Sequence, residues 1–234
     1  MLKILLCCLI GVSLTAPVIS QKKTFVTVHA GNNIMDVLPM KDVFYYPGFT
    51  LGKVFLKDGN STVTQLNYNR LVDEIHFIDG KGDTLAVDNE KNIKYVIAAS
   101  DTFFYDEGFL RIILPGKNVK LAMRDVWVIS ETRQRGAYNS TNTGVSMLAF
   151  KSVEQGGRLY DLTVNEDVIL KKTEKLYFGD DFNHFVLANK TNLISLFPKD
   201  EQRIATFLKE NKINFNKRAD VEKTTRFVQT IVTN

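Results

Sequence analysis

Cysteine is almost missing from this chain. Of 234 residues only Cys7 and Cys8 are cysteines, side by side in an apolar run near the start. From residue 9 onward there is no thiol to act as a nucleophile and no pair to form a disulfide. Histidine is nearly as scarce, with His29, His76 and His184 far apart in sequence. A metal centre needs three or four converging ligands, and no local spacing supplies them. Neither charge sign prevails: 30 Lys and Arg face 26 Asp and Glu, scattered through "EKNIKY", "KKTEK" and "NKRADVEK". No basic stripe interleaves with aromatics, which argues against nucleic-acid binding. Beyond the first twenty residues no apolar run is long enough to span a bilayer. A glycine-rich phosphate loop is missing as well. The nearest approach to a serine-nucleophile elbow, "GVSML" around Ser146, lacks its second glycine.

The first twenty residues have the pattern of a signal peptide. Lys3 precedes the short apolar run "ILLCCLIGVSL", and Val18 and Ser20 stand where signal peptidase reads small residues. The expected cut lies between Ser20 and Gln21. Neither cysteine fits a lipoprotein signal, because each follows a large residue or cysteine too early in the run. The cut removes both cysteines and Lys3, so the formal charge falls from +4 to +3. The expectation is an exported protein of the periplasm or cell envelope, held together by its core without disulfides.

From Thr24 to about Leu187, short apolar runs are broken by turn residues at roughly eight- to twelve-residue spacing, the pattern of an antiparallel β protein. "KDGN" at 57–60 and "DGKGD" at 79–83 read as hairpin turns, and Pro47-Gly48 reads as a tight turn with positive φ at the glycine. Between them "TQLNYNRLVDEIHFI" alternates, with Leu66 and Tyr68 on one face, Ile75 and Phe77 on one face, and a break at "RLVD". Further strands are expected at "TLAV", "IKYVIA", "DTFFYD", "FLRIIL", "VKLAMRDVWVI", "RLYDLTV", "DVILKKTEKLYF" and "FNHFVL". The polar stretch 130–144 reads as a long disordered loop, and "EQGG" at 154–157 as a second break.

The C-terminal segment, about 189–232, changes period. Pro198 suits a first helical turn, Asp200 and Glu201 suit the positive end of the dipole, and Ile204, Phe207 and Leu208 share a face. Val221, Thr225, Val228 and Val232 make a second stripe. The expected fold is therefore mainly β (α+β): a curved or two-layer antiparallel sheet with two C-terminal amphipathic helices, all within residues 21–234.

"QLNYNRLVDEIHFIDGKGDTLAV", "IKYVIAASDTFFYDEGFLRIIL" and "KLYFGDDFNHFVLANKTNLISLFPKDEQRIATFLKENKINFNK" resemble, in this order, blocks of a family of exported proteins of Bacteroidota-type bacteria. The resemblance spans nearly all of residues 21–234. It implies an envelope location and a β-then-helix layout, and it supplies no catalytic residues.

Candidate chemistry is sparse. On a strand, Glu74 and His76 share a face, read here as the polar outer face of a half-buried strand. "DGKGD" lacks the further oxygen ligands of a calcium loop. His184 is expected on an apolar face with Phe182 and Val186. Adjacent acids such as Asp73-Glu74 point to opposite faces and cannot act as a dyad. The aromatic runs "VFYYPGF" and "DTFFYDEGF" divide between core and surface, and the outward binding candidates are Tyr45, Tyr46, Phe49 and Tyr105, joined by Tyr138 in the polar loop. No catalytic residue, metal or cofactor is expected. The favoured function is a non-catalytic envelope protein that binds or scaffolds, with an envelope protein, a glycan or an apolar ligand as partner. A carrier with an apolar cavity between sheet and helices, and a hydrolase, are the alternatives.

Overall fold

The computed structural model describes residues 25–135, 141–144, 148–149 and 162–232. The expected signal peptide, Tyr138 and "EQGG" lie outside these residues. The chain begins with β1 (Phe25–Val28) and two helical turns, α1 (Ile34–Val37) and α2 (Met40–Val43). There follow β2 (Thr50–Leu56), β3 (Ser61–Asn69), β4 (Glu74–Ile78), β5 (Thr84–Ala86), β6 (Ile93–Ala98), β7 (Asp101–Tyr105), β8 (Phe109–Leu114) and the long β9 (Val119–Arg135). Short β10 (Thr141–Gly144) and β11 (Leu148–Ala149) precede β12 (Asp167–Asp180) and β13 (Phe185–Leu187). Helices α3 (Lys190–Leu196), α4 (Glu201–Glu210) and α5 (Arg218–Ile231) close the described chain.

Among the described residues, thirteen strands form one antiparallel sheet, in the order β1-β12-β9-β8-β7-β6-β2-β3-β4-β5, with β10 and β11 on β9 and β13 on β12. The local devices are those the sequence suggests. Asp58 Oδ1 accepts the N–H of Asn60 while Gly59 takes φ +93°, which closes the β2–β3 hairpin. Asp79 Oδ1 accepts the N–H groups of Lys81 and Asp83 at 2.8 and 2.9 Å and closes β4–β5. "RLVD" is the β3–β4 turn, with Asp73 at φ +60°. Asn189 caps α3 by accepting the N–H of Asn192 at 2.8 Å.

Three expectations need correction. Gly48 is not among the positive-φ glycines. Pro47-Gly48 instead interrupts a ladder: Phe44 bridges Asn69 and Tyr45 N–H donates to Tyr68, so residues before the break keep pairing with β3. The 130–144 stretch is not simply a loop, because β9 runs on to Arg135 and Thr141–Gly144 pairs back on it. Ladder bonds join backbone groups, so a polar stretch with a partner strand extends as readily as an apolar one. The described part of "RLYDLTV" forms only an isolated bridge, Thr163 to Asn33. The two expected C-terminal helices are α4 and α5, and among the described residues a shorter helix, α3, precedes them.

The sheet curls. β9 is separated from β3 by β8, β7, β6 and β2 in hydrogen-bond order, yet Trp127 N–H donates to Arg70 O at 2.9 Å in the β3–β4 turn. Val126 of β9 accordingly shares a core with Val54, Leu66, Val96 and Phe103. A second core joins Leu121 and Phe178 of the sheet to Leu193, Ile204, Val221 and Val228 of the helices. A third places Ile34, Leu38 and Phe44 over Trp127 and Leu170. Buried Arg70 binds this third layer down: its guanidinium donates to Lys41 O at 2.7 Å and to Phe44 O, and it pairs with Asp125 at 3.3 Å.

Candidate binding face

Register decides which side chains share a face, since directly opposed residues point the same way. Val63 opposes Lys53, Lys53 opposes Ile97, and Ile97 opposes Thr102. Ile112 opposes Ala122, Ala122 opposes Tyr177, and Tyr177 opposes Leu187. Phe104, on the face of Thr102, opposes Leu110, on the face of Ile112, so one face runs across eight strands from β3 to β13. The helices lie on the other face, where Leu121 opposes Phe178.

The uncovered face is apolar along much of this run. Leu51 is 70% exposed, Val63 59% and Ile97 36%, grouped around Lys53 on three adjacent strands. Beside them runs a row of rings: Phe55 stacks on Tyr95 at 4.4 Å between centroids, Tyr95 meets Phe104 at 5.9 Å, and Phe104 meets Phe185 at 5.6 Å. Lys53 Nζ lies 4.8 Å from the Phe55 ring centre, so its stem lies along the apolar surface with its charge over the ring. At the β13 end Leu110, Ala122 and Phe185 form a small buried cluster, which anchors the row. Contiguous exposed apolar residues on a sheet face mark contact surfaces more often than chance, whereas isolated ones do not.

The aromatic candidates from the sequence lie elsewhere. Tyr45 packs on Phe103 in the inner core, with the Arg111 guanidinium 4.7 Å from its ring centre. Tyr46 O–H donates to Ala98 O and to Asp101 Oδ2, each at 2.8 Å, and burial with that carboxylate pushes its pKa far up. Phe49 packs on Phe44. Tyr105 packs on Phe109 and is pushed up by burial and by Glu90. Alternation in "LGKVFL" and "IKYVIA" carried the signal for the outward row, because Phe55 and Tyr95 sit out of phase with the core residues Val54 and Val96.

A cleft of about 370 Å³ opens between the β3–β4 turn, the segment after β5 and the β7–β8 turn. Asp73, Glu74, Glu90, Tyr105, Glu107 and Arg124 are among its lining residues. Its centre is locked. Asp73 Oδ1 accepts the Tyr68 O–H at 2.7 Å and the Phe109 N–H at 3.1 Å, and Oδ2 pairs with Arg124, whose Nε lies at 2.8 Å. Burial pushes the Asp73 carboxyl up and the Tyr68 phenol well up, the former against the pull of Arg124. These bonds occupy both carboxylate oxygens and tie the β3–β4 turn to β3, β8 and β9, which is structural work. Glu74 and His76 are buried, 3.3 Å apart, and not on an outer polar face. Phe44 packs edge-on against His76, ring centroids 5.8 Å apart, where the segment before Pro47 bridges to Asn69 at this end of the sheet.

His29 is exposed beside Asp167 at 3.1 Å. His184 is also exposed rather than on an apolar face: the strand stops at Asp180, whose Oδ1 accepts the N–H groups of Phe182 and His184, and alternation does not carry across a turn. Among the described residues no three His, Cys, Asp or Glu side chains converge on a metal-sized site, and no helix is long and apolar enough to cross a membrane. The space between sheet and helices is filled by Val119, Leu121, Phe178, Ile204, Val221 and Val228. No family model matches the chain, and no curated protein or solved structure is similar to it.

Proposed function

We propose that this is an exported, non-catalytic protein of the cell envelope that binds a partner protein through the uncovered face of its sheet. The observation that carries the reading is the exposed group Leu51, Val63 and Ile97 with its adjoining ring row. Burying each of these aliphatic side chains against a partner contributes about 1.5–3 kcal/mol. The amino-terminal pattern and the resemblance to exported proteins support the location. The filled space beneath the helices weighs against a carrier, and the fully engaged Asp73 weighs against hydrolysis in the cleft.

A photoreactive residue at position 51 or 63, expressed in the native envelope, tests the reading against the same probe at Lys209 on the polar side of α4. One discrete protein adduct from 51 and 63 and none from 209 is expected. Adducts from all three positions, or from none, would remove the face from consideration. Intact mass addresses the location: the exported chain begins at Gln21.

A further inference from the structure

We propose that the partner of the uncovered face is an acidic protein segment, which sets a carboxylate against Lys53 while its apolar side chains cover Leu51, Val63 and Ile97. This rests on the reading of that face given above and adds the partner's chemistry. Lys53 stands in the middle of the exposed group. Val63 and Ile97 oppose it from the two neighbouring strands, and Leu51 lies two residues away on the same face of β2. Anything that covers the three aliphatic side chains therefore covers Lys53 as well.

Lys53 has no counter-charge of its own. Among the described residues it makes no ion pair, and its ammonium lies 4.8 Å from the centre of the Phe55 ring. Of the residues in β2, β3, β6, β7 and β8 only Asp101 is acidic, and it opposes Ala98 on the other face, paired with Arg111 at 3.2 Å. The stem of Lys53 follows the apolar surface towards the ring, so the charged head stays within the area that a partner covers. An ammonium buried under a neutral apolar cover loses its hydration without compensation. A partner carboxylate, opposite the ring, restores it as a charge-assisted hydrogen bond and steers the encounter.

The same chemistry favours protein over lipid. Anionic membrane surfaces are recognised by clusters of roughly four to eight basic residues. One lysine among three aliphatic side chains is not such a cluster. The ring row also follows the curl of the sheet, which a protein segment can track and a flat bilayer does not.

The photoreactive residue at position 51, expressed in the native envelope, tests this when Lys53 is varied beside it. Lys53→Glu is expected to lower the yield of the protein adduct about tenfold or more, and Lys53→Arg to recover it. Fragmentation of the adduct is expected to show Asp or Glu beside the cross-linked apolar residue. Reversing that acidic residue to Lys in the partner is then expected to restore the adduct with Lys53→Glu. Circular dichroism checks that Lys53→Glu folds. Should it not, Lys53→Gln, which removes the charge alone, takes its place with the same expected direction. A yield indifferent to the charge at 53 overturns the acidic partner and leaves the binding face standing, whereas no adduct from the unchanged chain overturns both. A cross-linked segment without Asp or Glu, or an adduct on phospholipid, also overturns the proposal.

Discussion

Phe207 and Phe227 lie face to face, with ring centroids 3.9 Å apart and planes 3° from parallel. The stack joins α4 to α5 at the margin of the helical core, and Ile204 and Leu208 are the α4 residues buried within it. Phe207 shares their stripe, yet its ring meets the neighbouring helix and is only half-buried. Ile204→Ala is therefore expected to cost about 2–5 kcal/mol, Phe207→Ala roughly 1–3 kcal/mol, and Lys209→Ala less than about 0.5 kcal/mol. Denaturant melts rank the three. A Phe207 variant worse than the Ile204 variant would mean that the ring carries the docking of α4.

Gly108 has φ +143°, and a Cβ there would fall on the Arg124 guanidinium and the Asp73 carboxylate. Gly108→Ala combines backbone strain with disruption of a buried ion pair, and is expected to cost about 3 kcal/mol or more. Gly59, at φ +93° with open space around it, isolates the strain alone. Gly59→Ala is expected to cost about 1 kcal/mol. Thermal melts giving equal losses at the two sites would dismiss the ion pair as the reason for glycine at 108.

Arg70 is buried and donates to two carbonyls of the α2 segment while pairing with Asp125, which Lys172 also approaches at 3.2 Å. Arg70→Ala leaves those carbonyls and part of a buried carboxylate unpaired. The expected loss is about 3–5 kcal/mol. The exposed pair Arg203–Asp200, at 3.0 Å, is expected to contribute less than about 1 kcal/mol. Chemical denaturation of the two alanine variants tests the contrast, which should exceed twofold.

Asp79 is exposed, and the N–H groups of Asp83 and Lys81 hold its carboxyl below the ordinary carboxylate value of 3.8. A depressed folded-state value means that its contribution to the β4–β5 turn is present above the unfolded value and lost as pH falls through the folded one. Carbon-detected NMR titration of the Asp79 side chain is expected to give a midpoint below 3.8. A midpoint at or above that value would mean the turn does not hold its carboxylate in solution.

The hairpins at "KDGN" and "DGKGD", the strand pair about "RLVD" and the stripes of α4 and α5 were legible in the sequence. Each rests on interactions within a few residues: an Asp side chain reaching the N–H two positions on, a glycine free to take positive φ, a period of two or 3.6. The same locality explains where the reading stopped. His184 was misplaced because a two-residue period was carried past the strand's end at Asp180. The 130–144 stretch was misread because composition reports what side chains prefer, while β9 and β10 are joined by backbone bonds.

By itself, then, the sequence determined the local architecture: antiparallel strands, their turns, helices at the end, and the lack of any cysteine framework beyond residue 8. Tertiary structure alone decided which face of each strand is covered. His76 is inside because Phe44, before Pro47, packs on it, Tyr45 and Tyr46 turn inward with Phe103, and Leu51, Val63 and Ile97 remain outside because the curled sheet closes on the other face of their strands, where Val54, Leu66 and Val96 meet Val126. Alternation divides a strand's residues into two sets. Which set meets a second layer depends on contacts between residues far apart in the chain, such as Arg70 with Trp127, and those exist only once the sheet has curled.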